Sequence, residues 1–169
     1  MKTYLKWGLP LLVAGLIAYL SWEFTTKLHR KQETAGRIQT LPAFNAYTIN
    51  RSAINQAALG NRPAVLIYFD PDCDHCQREA DELRRKASSL SSARVIMLSS
   101  APLPALATFA RVHQLNGLPT VQVAHMDRKA AYETFGFAAV PDVLIYHADG
   151  SLAKRFRGET SIEAIARHL

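Results

Sequence analysis

Residues 64–90 read AVLIYFDPDCDHCQREADELRRKASSL, and this stretch decides the fold. Ala64 to Phe69 is an unbroken apolar run, the pattern of a strand buried on both faces of a parallel or mixed sheet. Asp70-Pro71-Asp72 breaks the run. Beyond it Cys76, Ala80, Leu83, Ala87 and Leu90 recur at spacings of 4, 3, 4 and 3, which is one face of a helix. On the other face Asp81 and Arg85, and Glu82 and Lys86, stand four apart with the acid N-terminal, the stabilising order. Two cysteines, Cys73 and Cys76, sit at the junction of strand and helix.

Outward from this unit the alternation continues. Arg94–Ser99 (RVIMLS) and Val121–His125 (VQVAH) read as further strands. A helix is expected after Pro104, through Leu106, Phe109, Ala110 and His113, and a shorter one over Lys129–Phe135. Val143–Tyr146, the turn signal Asp149-Gly150, and Leu152–Arg157 read as a β-hairpin. Thr160 to Glu163 fits a capping box opening a last helix. Upstream, Ala46–Ile49 reads as an edge strand and Ser52–Leu59 as a helical turn. The expected class is α/β, with a central mixed sheet flanked by helices.

At 169 residues the chain has room for about one domain. It is 49% hydrophobic and 20% charged, which excludes global disorder. The net charge of +6 is unevenly placed. Residues 1–37 hold six Lys and Arg against Glu23 and Glu33, a surplus of four, while the rest holds fourteen against twelve. With no basic stripe in the larger part, nucleic acid is not an expected partner.

The basic surplus flanks an apolar run, Trp7–Phe24 (WGLPLLVAGLIAYLSWEF). As a helix its length is about 27 Å, near the hydrocarbon thickness of about 30 Å, and Trp7, Tyr19 and Trp22 lie near its ends. No Ala-x-Ala pattern follows, so a retained anchor over residues 1–24 is expected in preference to a cleaved signal peptide. Basic residues flank both sides, so charge leaves the orientation open. Residues 25–37 (TTKLHRKQETAGR) read as a charged linker, and residues 38–169 as the folded domain.

Two cysteines form neither a disulfide scaffold nor a four-cysteine zinc site. Cys73 at a helix N-terminus lies where unpaired N–H groups and the positive end of the dipole favour a thiolate. Cys76, one turn on, lies on the apolar stripe and is expected to be shielded. An exposed nucleophile beside a buried resolving thiol is the arrangement that reversible disulfide exchange needs. Zinc would need two further ligands, and His29, His113, His125, His147 and His168 lack ligand spacing. No metal or other cofactor is expected.

The strand–CxxC–helix order resembles the thioredoxin-like superfamily, and within it the membrane-anchored TlpA/ResA-like thiol-disulfide oxidoreductases, over about residues 40–169. The resemblance makes Cys73 the attacking cysteine and Cys76 the resolving one. It makes Val140-Pro141 the cis-proline loop that offers backbone hydrogen bonds to a substrate. Glu79, three after Cys76, matches the helix glutamate that manages protons at the buried thiol; the plainer alternative is a solvated charge beside Arg78 and Asp81. The implied partners are protein disulfides or dithiols and an upstream redox partner. The implied place is a bacterial inner membrane, with the domain on the periplasmic side.

The sequence departs from that family where Trp usually precedes the first cysteine and Pro the second; here stand Asp72 and His75. Ile67 replaces the buried strand acid of thioredoxins. Asp70, Asp72 and Asp74 disfavour a thiolate at Cys73, whereas a protonated His75 favours it, so Asp74 and His75 are expected to tune the pair in opposite directions. The chain also resembles redoxin-domain proteins near the AhpC/TSA peroxiredoxins. Their peroxidatic PxxxTxxC is absent: Leu66 and Asp70 precede Cys73 at those places, and Phe69 and Cys73 precede Cys76. A second class of function is copper handling through Cys73 and Cys76, with His147 and Met126 as further ligands by type. A third is a scaffold in which the cysteines only staple the helix start.

Overall fold

The computed structural model describes the backbone of residues 2–169, with side chains at 12–26, 32–33 and 35–169. Met1–Gly36 and Arg37–Leu169 separate into two compact units. The first is helical: α1 runs over Lys2–Arg37 and continues through the segment expected to be a linker. Part of the apolar run, residues 7–11, lies outside the described side chains. Among the described residues no helix is long and apolar enough to cross a membrane.

The second unit is a seven-stranded mixed sheet with the order β2-β1-β5-β4-β3-β6-β7. Its strands are β1 (Asn45–Thr48), β2 (Ala53–Asn55), β3 (Ala64–Tyr68), β4 (Arg94–Ser99), β5 (Val121–His125), β6 (Asp142–Tyr146) and β7 (Leu152–Arg157). β3, β4 and β5 run parallel, and every other neighbouring pair is antiparallel. The apolar run at the centre of the sequence is thus the centre of the sheet. Strand alternation divides its side chains between two cores. Val65 and Ile67 of β3 face one layer, with α2 (Asp74–Arg85), α3 (Leu103–Val112) and α5 (Ile162–Ala166). Leu66 and Tyr68 face the other, with α4 (Arg128–Phe135) and the segment from Ile38 to Leu59.

Local chemistry sets the helix ends. Pro104 sits in the first turn of α3, where a missing N–H costs no hydrogen bond. Asp127 caps α4 by accepting from the Ala130 amide at 3.0 Å, and Gly136 closes it with φ 68°, a left-handed conformation that suits glycine. α2 carries Asp74 in its first turn and Arg84 and Arg85 in its last, matching the helix dipole.

Four expectations are corrected. Ser52–Leu59 is not one helical turn: Ala53–Asn55 forms β2, and only Gln56–Leu59 is a tight 3-10 turn capped by Asn55. β1 is consequently an inner strand, because β2 covers its outer side. The helix after Cys73 stops at Arg85, with Lys86 at φ −117° and ψ 23° and a separate 3-10 turn over Ala87–Leu90. Lys86 there bonds Glu82 at 2.7 Å and Glu163 at 2.6 Å, and the Ser88-Ser89 pair that follows has little helix preference. The cap of α5 is Ser161, which accepts from Ala164, and Glu163 pairs with Lys86 instead of closing a box with Thr160.

Candidate active site

The last residues of β3 lead into the CxxC junction through a loop that is hydrogen-bonded to itself. Asp70 accepts the Asp72 amide on Oδ1 at 3.0 Å, and its carbonyl accepts the Cys73 amide at 3.1 Å. Gln77 reaches back from α2 to donate to the Pro71 carbonyl at 2.8 Å. Cys73 is the cap residue of α2, with extended backbone and no side-chain bond to the first-turn amides. Those amides and the positive helix end are left to the cysteine itself. Cys73 is half-buried, whereas Cys76 is buried. Burial raises the Cys76 thiol well above its ordinary range, and its hydrogen bond with Cys73 adds to the effect. An accessible first sulfur and a shielded second one are present as the spacing predicts.

Glu79 follows one turn after Cys76 on the same face. Only 2% of it is exposed, and neither carboxylate oxygen has a hydrogen-bond partner among the described residues. Burial pushes its carboxyl up to about 8, helped by the nearby Glu159 and Glu82 charges. It is therefore no solvated surface charge. A carboxyl that titrates near neutrality beside a buried thiol can hold a proton or take one.

Sheet register brings the second sequence feature to the first. In the antiparallel β3–β6 pair Tyr68 stands opposite Asp142, so Val140 and Pro141 run alongside Phe69 and Asp70. The Val140–Pro141 peptide is cis. Val140 and Cys73 pack on the core that contains Cys76. Arg155 of β7 ties both ends of this loop, donating to the Phe135 and Gly136 carbonyls at 3.2 and 2.9 Å and to the Asp142 carboxylate. A pocket of about 370 Å³ opens beside the loop, walled by Phe69, Asp70, Phe137, Val140, Arg128 and Tyr132.

His75 and Asp74 are both exposed on the first turn of α2. His75 Nδ1 lies 2.5 Å from Oε2 of Glu159, in the loop between β7 and α5. Arg78 Nε and Nη2 donate to the two oxygens of the same carboxylate at 3.1 and 2.7 Å. These bonds hold the Glu159 carboxyl at about 2, the Arg78 contact contributing most. Sequence reading missed Glu159, Arg155 and the pocket. Glu159 lies 84 residues from His75, and no local signal marks the pairing.

Among the described residues no group of three or more His, Cys, Asp and Glu is placed to hold a metal. Met126 is buried in the core on the opposite face of the sheet from Cys76. His147 is exposed at the hairpin turn after β6. The structure thus does not gather the ligands by which copper handling was considered.

With this geometry in place, comparison with known proteins is decisive for the family. Residues 51–169 match the family described as thioredoxin-like domain. The chain belongs to it. Among solved structures, this thioredoxin-like chain is similar to a secreted Mycobacterium tuberculosis disulfide oxidoreductase homologous to E. coli DsbE. The two are 21% identical with a TM-score of 0.64, over 79% of this chain and 98% of that one. A thiol:disulfide interchange protein of the thioredoxin family from Chlorobium tepidum is 15% identical with a TM-score of 0.60, over 76% and 94%. A peroxiredoxin-like protein from Aquifex aeolicus is 14% identical with a TM-score of 0.64, over 76% and 82%. At such identities the likeness concerns the fold. No curated protein sequence matches this thioredoxin-like chain significantly.

Proposed function

We propose that this thioredoxin-like domain is a thiol-disulfide oxidoreductase that reduces protein disulfides through Cys73 and Cys76. The observation that carries the reading is the half-buried Cys73 at the start of α2 with the buried Cys76 and the buried, unpartnered Glu79 behind it. The Cys73 thiolate attacks one sulfur of the substrate disulfide, forming a mixed disulfide and releasing the other sulfur as a thiolate. Cys76 then passes its proton to the ionised Glu79 and attacks the Cys73 sulfur. The Cys73–Cys76 disulfide forms, the second substrate thiol leaves, and two electrons have moved from the domain to the substrate. An upstream dithiol protein returns them. The Val140-Pro141 loop, alongside Asp70, offers an extended substrate segment its backbone groups.

The Cys76→Ser variant tests this directly. It retains the attacking sulfur and lacks the resolving one, so it is expected to accumulate mixed disulfides with a disulfide-bonded substrate protein. Cys73→Ser is expected to form none. A wild-type pair that shows no reversible two-electron couple in glutathione buffers would overturn the reading.

The proposal extends to place. Trp7–Phe24 serves as a membrane anchor, and the domain works outside the cytoplasm on a bacterial inner membrane. In support, Leu12, Leu16, Ile17, Leu20, Trp22 and Phe24 are all exposed on α1, a burden of apolar surface that water does not favour. Carbonate extraction of membranes and protease accessibility of the domain in spheroplasts test the two halves of this assignment. Release by carbonate would remove the anchor; protection from protease would reverse the orientation.

A further inference from the structure

Around Cys73 the charges are unequally committed. Asp70, Asp72 and Asp74 lie on the motif loop and first turn, and Glu79 lies beneath. On the basic side stand His75 and Arg78, both on α2, and both bound to one carboxylate from a distant part of the chain. Glu159 receives the Arg78 guanidinium as a fork, Nε to Oε1 at 3.1 Å and Nη2 to Oε2 at 2.7 Å. Oε2 also meets His75 Nδ1 at 2.5 Å, and Arg78 Nη2 lies 2.6 Å from the same ring nitrogen. Cys73 caps α2 and Arg78 stands five residues further along it, a rise of roughly 7.5 Å, which is within a Debye length of the nucleophile's position.

We infer that Glu159 is a positioning residue for the exchange pair: from the loop before α5 it holds the Arg78 guanidinium and contacts the His75 ring, and so withholds the Arg78 charge from the Cys73 thiolate. The inference rests on the thiol-exchange reading above. Its physical content is simple. A cation beside a thiolate stabilises the reduced form and makes the pair more oxidising. A cation already paired with a carboxylate does so less. Glu159 thereby biases the domain toward the reducing role that the proposed function requires. A fork between guanidinium and carboxylate is directional as well as charged, so the arrangement specifies where Arg78 points.

The test is a glutathione redox titration of the full chain and its variants. Glu159→Gln is expected to shift the equilibrium about fivefold toward the reduced dithiol, equal to about 20 mV for this two-electron couple. Glu159→Asp, which keeps the carboxylate, restores most of the wild-type value. Arg78→Gln shifts the equilibrium the opposite way. In the Arg78→Gln background, Glu159→Gln retains less than half of its effect, because the residue then acts only as a bare charge. An unchanged equilibrium in Glu159→Gln, or a full shift that persists without Arg78, overturns the inference.

A separate readout keeps this apart from failure of the exchange reading. In the Cys76→Ser background, the alkylation profile of Cys73 against pH moves toward acid when Glu159 becomes Gln. That shift is observable even if the wild-type pair proves to have no reversible couple. Its absence would sink the positioning role alone. All three side chains are substantially exposed, so these substitutions leave the core intact, and unchanged thermal unfolding confirms it.

Discussion

Arg155 and Asp142 form a fork-to-fork ion pair, Nε to Oδ1 at 2.9 Å and Nη2 to Oδ2 at 2.6 Å, on the residue that directly follows the cis proline. The side chains are 12% and 4% exposed. Burial raises the Asp142 carboxyl above its ordinary value, and the guanidinium opposes that effect. Since Arg155 also binds the Phe135 and Gly136 carbonyls, one side chain spans the whole loop from the end of α4 to the start of β6. Arg155→Met strands the carboxylate and is expected to cost about 3–5 kcal/mol in urea unfolding. Asp142→Leu combined with Arg155→Met is expected to cost less than Arg155→Met alone, because no buried charge is then left unpaired.

Glu79 imposes a pH dependence on stability. Its folded value of about 8 lies above the usual 4.5, so the folded chain keeps a proton that the unfolded chain releases between those limits. Stability from this group is complete below about pH 4.5 and falls as pH rises toward 8, by a few kcal/mol in all. Glu79→Gln is expected to flatten that slope, with urea midpoints at pH 5 and pH 8 drawn together. The same variant cannot accept the Cys76 proton, so release from the mixed disulfide slows by roughly tenfold or more.

Leu83 separates stability from chemistry. It is fully buried on the same face of α2 as Cys76 and Ala80. Leu83→Ala is expected to lower unfolding free energy by about 2–5 kcal/mol. The redox equilibrium of the folded variant stays within experimental scatter of wild type, because the substitution changes no charge near Cys73.

Tyr146 carries a prediction of the opposite sign. The ring is fully buried at the end of β6, yet its hydroxyl has no hydrogen-bond partner among the described residues. Burial pushes the phenol above its ordinary range. Tyr146→Phe retains the packing and removes the orphaned group, so stability is expected to rise by about 1–2 kcal/mol. A loss on calorimetry would show that the hydroxyl is satisfied.

Much of the sheet was legible because its strands are short local patterns. The runs at Ala64–Phe69, Arg94–Ser99 and Val121–His125 became β3, β4 and β5 within a residue, and Val143–Tyr146 and Leu152–Arg157 became the β6–β7 hairpin. The helix after Cys73 was legible from its periodicity, but its end was not. Leu90 keeps the apolar register that suggested a continuous helix, while Lys86 turns away to two carboxylates, one of them 77 residues on. β2 was missed because Ala53–Asn55 has no strand signature of its own and is held by its ladder with β1.

The same division runs through the site. Cys73, Cys76 and the strand–helix junction follow from residue spacing, since adjacent turns of a helix are near in sequence and in space. That Glu79 is buried rather than solvated depends on what packs over α2, and periodicity alone does not say how wide the covered face is. The placing of Val140-Pro141 beside Asp70 is a matter of strand register across β3 and β6, which sequence pattern suggests only through family resemblance. Glu159 meeting His75 and Arg78, and Arg155 closing the Pro141 loop, are decided by tertiary structure alone. Ion pairs between exposed or loop residues leave no periodic trace. Local chemistry therefore determined which sulfur is accessible and which is shielded, and the fold decided which charges surround them.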